Sequence, residues 1–197
     1  MVVLEAAVSN KTVFLIVGES SSGKDSLVNK LCEECGYKQL ISYTTRTIRE
    51  DDKDDKNKHV FISEDEVKYY VDKMIAYTRI GEFCYFATVD QLYESDIYII
   101  DATGRDYMKF ITEYKDVTDI RFVTIYINTP PELRKERALN QRHDNPEVYY
   151  QRILDEQGQF ADFKACAKFD YAVLNKDFNK AYKILKNIVE EELNESH

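Results

Sequence analysis

The residues of this chain best suited to chemistry surround Lys24. Two glycines, Gly18 and Gly23, bracket Glu19, Ser20, Ser21 and Ser22, and Lys24, Asp25 and Ser26 follow directly. In such a loop the backbone N–H groups wrap a polyphosphate and the lysine ammonium neutralises it, while the dipole of a helix that starts there adds to the pull. The loop comes straight after the apolar, β-branched run Thr12–Val17. The order therefore reads strand, phosphate loop, helix, rather than a serine-rich turn that only caps a helix. Where Ser or Thr would place a hydroxyl on Mg²⁺, this chain has Asp25, with Ser26 next. A carboxylate there can ligate Mg²⁺ or repel the phosphates, and both readings stand. A further acid, Asp101, ends the apolar run Asp96-Ile-Tyr-Ile-Ile. It sits where a buried parallel strand presents its ligand-facing end, or it caps a following helix over 103–114.

The elements that position these groups follow from periodicity. Lys24 to Cys35 carries Leu27, Val28, Leu31 and Cys35 on one helical face, and Gly36 ends it as a C-cap. Residues 37–45 predict a strand leaving the core, and the charged stretch 50–58 predicts a solvated hairpin tip. Val60-Phe-Ile opens a short strand, Ser63 caps a helix to about Val71 with Glu66 in capping-box position, and strands are expected at 74–80 and 83–88. Residues 120–127 predict another buried strand. It leads through Pro130-Pro131 into a helix with Arg134, Arg137 and Arg142, and a long helix after Asp144-Asn-Pro carries Arg152. Residues 171–175 predict a last strand, and the closing helix sets Ala181, Ile184, Leu185 and Ile188 at helical spacing. Alternation of this kind predicts a parallel sheet covered on both faces, with a small β-rich lobe inserted.

Composition narrows the function. With 36 acidic against 27 basic residues the net charge is -9, which disfavours nucleic acid and anionic membranes as partners and requires a local basic pocket for any anionic substrate. The 197 residues suit one domain with a real core. Cys32 and Cys35 form a C-x-x-C without the second pair of a zinc site, so reduced thiols in an intracellular, cytoplasmic protein are the expectation. The first ten residues lack the basic start of a secretory signal, and no apolar run has the length of a membrane span.

Ser42-Tyr-Thr-Thr-Arg46-Thr-Ile-Arg49, taken with the phosphate loop, resembles the guanylate kinase family. The similarity continues in register through His59-Val-Phe61, the Tyr85 segment, Ile-Ile-Asp101, the helix with Arg137 and Arg142, Arg152, and Val-Leu-Asn175-Lys-Asp177. The resemblance implies an α/β P-loop NTPase three-layer sandwich with a parallel core sheet, an inserted β-rich acceptor-binding lobe and a helical lid. The expected single domain spans 1–197, with core 11–41, 92–136 and 168–197, lobe 42–91 and lid 137–155. It further implies a nucleoside monophosphate kinase whose partners are small-molecule nucleotides. ATP would lie on Gly18 to Ser26 with Asn175. The acceptor would lie on Ser42, Arg46, Arg49, His59, Tyr85, Thr88, Asp101 and Thr103. Lys24, Arg137, Arg142 and Arg152 would stabilise the transferring group, and Mg²⁺ would be held by Asp25, Ser26 or Asp101. The chemistry agrees with this division: a kinase joining two anions must neutralise both, and Arg46 and Arg49 offer the fork for a phosphate, unless they are simply charges on an exposed strand end.

Departures from the family pattern bear on specificity. The family's guanine-reading glutamate falls at Ala76, and its small hydroxyl residue at Ala87, with Thr88 adjacent. Its Tyr-Tyr-Gly becomes Cys84-Tyr85-Phe86, its first phosphate-binding tyrosine becomes His59, and its second acid after Asp101 becomes Thr103. Arg137 and Arg142 lie one residue further apart than the family's i, i+4 pair. Gly-Lys-Asp-Ser-Leu also resembles the ribose 1,5-bisphosphate phosphokinase branch. The expectation is therefore transfer from Mg-ATP to GMP or dGMP. The alternatives are a sugar-phosphate kinase and a non-catalytic module that binds phosphorylated ligands or peptides in the acceptor site.

Overall fold

The computed structural model describes residues 11–48, 59–100, 113, 119–166 and 169–194, with backbone alone at 80, 159 and 162–166. Strand β1 (Thr12–Val17) is buried along its whole length, as a central parallel strand covered on both faces must be. It pairs in parallel with β6 (Ile97–Ile100) on one side and β7 (Arg121–Asn128) on the other. Beyond β7 lies β8 (Tyr171–Leu174), also parallel, so the core sheet has the order β6-β1-β7-β8.

The period of two along β1 sorts its side chains into two cores. Phe14 and Ile16 meet Leu27, Val28 and Leu31 of α1 (Lys24–Cys35) and Ala181, Leu185 and Val189 of α5 (Phe178–Asn194). Val13, Leu15 and Val17 meet Leu92 of α2 (Val89–Glu94) and Phe160 of α4 (Pro146–Cys166). The architecture is thus an α/β three-layer sandwich with a parallel core sheet. In the closing helix Ala181, Leu185 and Ile188 face inward as expected, whereas Ile184 is 46% exposed on the other face.

The second sheet has the order β3-β2-β5-β4. It is built from β2 (Tyr43–Thr44), β3 (Val60–Phe61), β4 (Met74–Ile80) and β5 (Phe83–Thr88). Strand β2 runs parallel to β3 and antiparallel to β5, and β4 is antiparallel to β5. Ile75 and Ala87 from this sheet are buried in the β1–α2 core, so the lobe shares hydrophobic surface with the frame.

Two expectations are corrected here. Residues 37–45 do not form one strand. Leu40 N–H donates to the Ile97 carbonyl and Gln39 bridges to Ile97, after which the chain crosses and pairs again only at Tyr43–Thr44. One extended segment serves two sheets and belongs fully to neither. The segment after Ser63 keeps its capping box but winds as 3₁₀ turns, Glu64–Tyr69 and Val71–Lys73. The expected hairpin tip at 50–58 and most of the expected helix at 103–114 lie outside the described residues. No helix among the described residues is long and apolar enough to cross a membrane.

Candidate active site

The phosphate loop joins the carboxyl end of β1 to α1, where ligands bind in open parallel sheets. Its most constrained atom is the Ser22 carbonyl oxygen, which accepts from Thr129 Oγ1 (2.8 Å), Asn175 Nδ2 (2.7 Å) and Arg137 Nη1 (3.0 Å). Three donors from three segments thus hold the loop in place. Gly23 is required beside this clamp. Its φ is +86, and a Cβ there would stand 2.7 Å from Asn175 Nδ2 and 3.1 Å from Arg137 Nη1. Ser21 also has a positive φ, 63, strained for a residue with a Cβ, and its hydroxyl accepts from Arg142 Nη2 at 2.8 Å.

Lys24 is buried at the start of α1 and lines the cleft with Gly18, Ser20, Ser21, Gly23, Asp25 and Ser26. Glu19 and Ser22 do not turn their side chains toward it. Ser22 is fully buried, and Glu19 points beneath the loop, where it accepts the Tyr126 hydroxyl at 2.7 Å and faces the Arg134 guanidinium at 3.7 Å. Desolvation, and then the Glu19 carboxylate, hold the Tyr126 hydroxyl well above its ordinary pKa, so it remains a donor. The Glu19 side chain thus fastens the loop to β7 and to α3 (Pro131–Glu136).

The helix changes pitch where α3 ends. Arg137–Gln141 forms a single π turn, closed by Arg142 N–H donating to the Arg137 carbonyl at 3.0 Å. A π turn takes up one residue more than an α turn, which accounts for the surplus residue between the two arginines. Both therefore face the loop. Arg137 reaches the Ser22 and Asn175 carbonyls, and Arg142 reaches Ser21 and Asp144. Desolvation lowers the Arg137 pKa. Arg152, on α4, lines the same cleft.

Across the cleft stand Ser42, Arg46, His59 and Tyr85. Thr44 Oγ1 donates to the Cys84 carbonyl and accepts the Arg46 N–H, while the Cys84 N–H donates to Thr45 Oγ1. These bonds fasten the Arg46 backbone to β5, the strand of Tyr85. The Arg46 guanidinium lies 5.4 Å from the Phe61 ring centre and donates to the Thr47 carbonyl. Ser42 Oγ is 3.0 Å from His59 Nδ1, and the His59 ring meets Tyr85 edge-on at 5.6 Å. Ala76 lines this wall with φ 51, at a register shift in β4 that also brings Thr78 to the cleft.

Ala87 is buried in the core instead. Thr88 lies next to it, where its side chain accepts the Gln91 N–H as the cap of α2 and does not line the cleft. Arg49, Asp101 and Thr103 lie outside the described residues. The two sides enclose a cleft of 2060 Å³, larger than the few hundred to about 1,000 Å³ of a single small-molecule pocket.

Residues 10–192 match the family model of guanylate kinase. The chain belongs to the guanylate kinase family. Related guanylate kinases include that of Cupriavidus metallidurans, 31% identical over 189 residues, covering 90% of this chain and 82% of that protein. That of Chlamydia muridarum is 29% identical over 196 residues, covering 94% and 90%. That of Legionella pneumophila strain Paris is 28% identical over 188 residues, covering 90% and 84%. The crystal structure of guanylate kinase from Anaplasma phagocytophilum superposes with a TM-score of 0.63 at 19% identity, covering 93% of this chain and 86% of that one, a likeness of fold. As a guanylate kinase family member the chain is an enzyme of the nucleoside monophosphate kinase class, with nucleotides as substrates.

Sequence reasoning missed several residues of this guanylate kinase-like cleft. Lys176 and Phe178 line it next to Asn175, and Thr78 enters only because of the β4 irregularity. Glu156, one helical turn beyond Arg152, meets the loop itself: Ser20 N–H donates to its carboxylate at 3.0 and 3.3 Å.

The site's donor set suits Mg²⁺. Among the described residues no group of three or more His, Cys, Asp or Glu could hold a metal ion. Mg²⁺ in phosphoryl-transfer sites needs only one or two protein oxygens beside phosphates and water, which Asp25 and Ser26, next to Lys24 on the cleft wall, would offer.

Proposed function

We propose that this chain transfers the γ-phosphoryl group of Mg-ATP to a nucleoside monophosphate, GMP or dGMP. The observation that carries the reading is the pairing of two anion sites across one cleft: the clamped loop with Lys24, and the facing Ser42, Arg46, His59 and Tyr85. In this reading the core, the lobe at 42–91 and the lid at 137–155 act as parts of one domain.

The loop N–H groups and Lys24 hold the donor phosphates, and the preformed Arg46 fork with the Ser42 and Tyr85 hydroxyls holds the acceptor phosphate. Arg137, Arg142 and Arg152 surround the space between, where charge develops as the phosphoryl group moves, and their approach excludes water that would hydrolyse ATP. Mg²⁺, when bound, neutralises phosphate charge from the Asp25 and Ser26 side. No covalent enzyme intermediate is needed, because positioning and charge stabilisation suffice. Lys24→Ala is expected to lower kcat at least about 100-fold with an unchanged melting temperature. Near-wild-type turnover would show that the loop does not carry the reaction.

One observation favours a second reading, a sugar-phosphate acceptor. Ala76 presents no hydrogen-bonding side chain, and Ala87 is buried away from the cleft. Base discrimination is then left to Thr78 or backbone groups, since specificity comes from polar groups that the wrong ligand leaves unpaired. Comparing GMP with ribose 1,5-bisphosphate as acceptors separates the two.

A further inference from the structure

The phosphate loop already carries an anion supplied by the chain itself. Glu156 projects from α4 and sets both carboxylate oxygens on the Ser20 N–H, at 3.0 Å and 3.3 Å, and the Ser20 hydroxyl donates to it as well. The contact joins residues 136 positions apart and is half-buried. Ser20 N–H belongs to the set of loop amides that would face donor phosphates. A carboxylate on such an amide satisfies the same donor with the same sign of charge as a phosphate oxygen. It also brings a negative charge to the wall of the cleft that must receive a polyphosphate.

We propose that Glu156 is a displaceable anion that occupies the Ser20 amide and is exchanged for a donor phosphate, so that it sets the affinity for ATP and couples donor binding to the position of α4. The inference rests on the reading of the loop as the ATP site. Arg152 is carried by the same helix one turn earlier, and residues four apart share a helical face. Release of Glu156 from the loop therefore frees the segment that carries a lid arginine at the moment the donor enters. Glu156 is a positioning residue in this scheme, with no part in the transfer itself.

A residue that merely docked the helix and one that competes with the donor have opposite signatures. Loss of a strut weakens or leaves unchanged the affinity for ATP, whereas loss of a competitor strengthens it. Titration calorimetry with Mg-ATP, and separately with inorganic tripolyphosphate, on wild type, Glu156→Ala and Glu156→Gln provides the test. The expected result is tighter binding of both probes by Glu156→Ala. The gain should be about three- to tenfold, between the values typical of exposed and of buried charge-assisted contacts. Glu156→Gln, which keeps an acceptor oxygen but no charge, should fall between. KM for ATP should drop in parallel while KM for the acceptor stays fixed. In heteronuclear NMR spectra the Ser20 amide should shift strongly between nucleotide-free wild type and Glu156→Ala, and should coincide once both are saturated with ATP. Unchanged or weaker binding by Glu156→Ala, or a Ser20 amide indifferent to the substitution, overturns the exchange alone. Absence of ATP binding by wild type and variant alike overturns the donor-site reading and the exchange with it.

Discussion

Deleting Asn140 should leave catalysis nearly intact, although it removes a residue from between Arg137 and Arg142. On an α-helix one residue is about 100° of rotation and 1.5 Å of rise, so a deletion in a regular helix would swing everything beyond it around the axis. Here Arg137–Gln141 is a π turn, closed by the 3.0 Å bond from Arg142 N–H to the Arg137 carbonyl. Shortening it by one residue converts i→i+5 into the i→i+4 bond of an α turn, and Arg142 still faces the loop. Inserting an alanine after Asn140 gives the opposite result, because no helical turn absorbs a second surplus residue. Arg142 then loses its 2.8 Å bond to the Ser21 hydroxyl. Loss of one preorganised donor to developing charge lowers kcat about 100- to 1,000-fold, or about 3–4 kcal/mol of transition-state stabilisation. Steady-state kcat for wild type, the deletion and the insertion decides the matter, with circular dichroism confirming folding. The deletion should stay within about threefold of wild type, since no charged group is lost. A deletion as damaging as Arg142→Ala would refute the claim that the π turn sets the arginine's direction.

Ser22→Ala should stabilise the protein by about 1–3 kcal/mol, because the Ser22 hydroxyl is fully buried with no hydrogen-bond partner among the described residues; an unchanged or lower denaturation midpoint would contradict this. Thr88→Ala should lower stability by about 1 kcal/mol through loss of the α2 cap, with KM for the acceptor unchanged; a raised KM would restore Thr88 to the site. Gly23→Ala should abolish tight ATP binding, as its Cβ would meet Asn175 and Arg137 at 2.7 and 3.1 Å. Calorimetry showing normal affinity would refute the clamp. Arg46→Lys should raise KM for the acceptor about tenfold or more, since an ammonium cannot reproduce a bidentate fork; KM for ATP should not move.

Much of this architecture was legible because buried parallel strands and one-faced helices leave strong periodic signals. Helix α1 and its Gly36 cap, β4 and β5 lie where the spacing put them. Residues 37–45 misled because their extended backbone is shared between two sheets, an arrangement decided by Asp96 and Ile97 far along the chain. The surplus residue between Arg137 and Arg142 was visible, but its accommodation as a π turn is a property of the packed chain. The side-chain directions of Glu19 and Thr88 were not legible, because motif spacing fixes the backbone and not the direction of a side chain. Tyr126 and Arg134 receive the inward-turned Glu19, and the backbone of Gln91 receives Thr88. Glu156 gave no signal at all, since a glutamate among Asp, Glu and Gln on a helix reads as a solvated face.

The reaction proposed for this protein is phosphoryl transfer from Mg-ATP to a nucleoside monophosphate held opposite the loop. A coupled ADP-release assay across GMP, dGMP, AMP, CMP, UMP, dTMP and ribose 1,5-bisphosphate, with the phosphorylated product identified, tests it most directly. ADP release is expected with GMP or dGMP, with one nucleoside diphosphate formed per ADP. Turnover with ribose 1,5-bisphosphate alone, or silence across the panel by a protein that binds ATP, would contradict it.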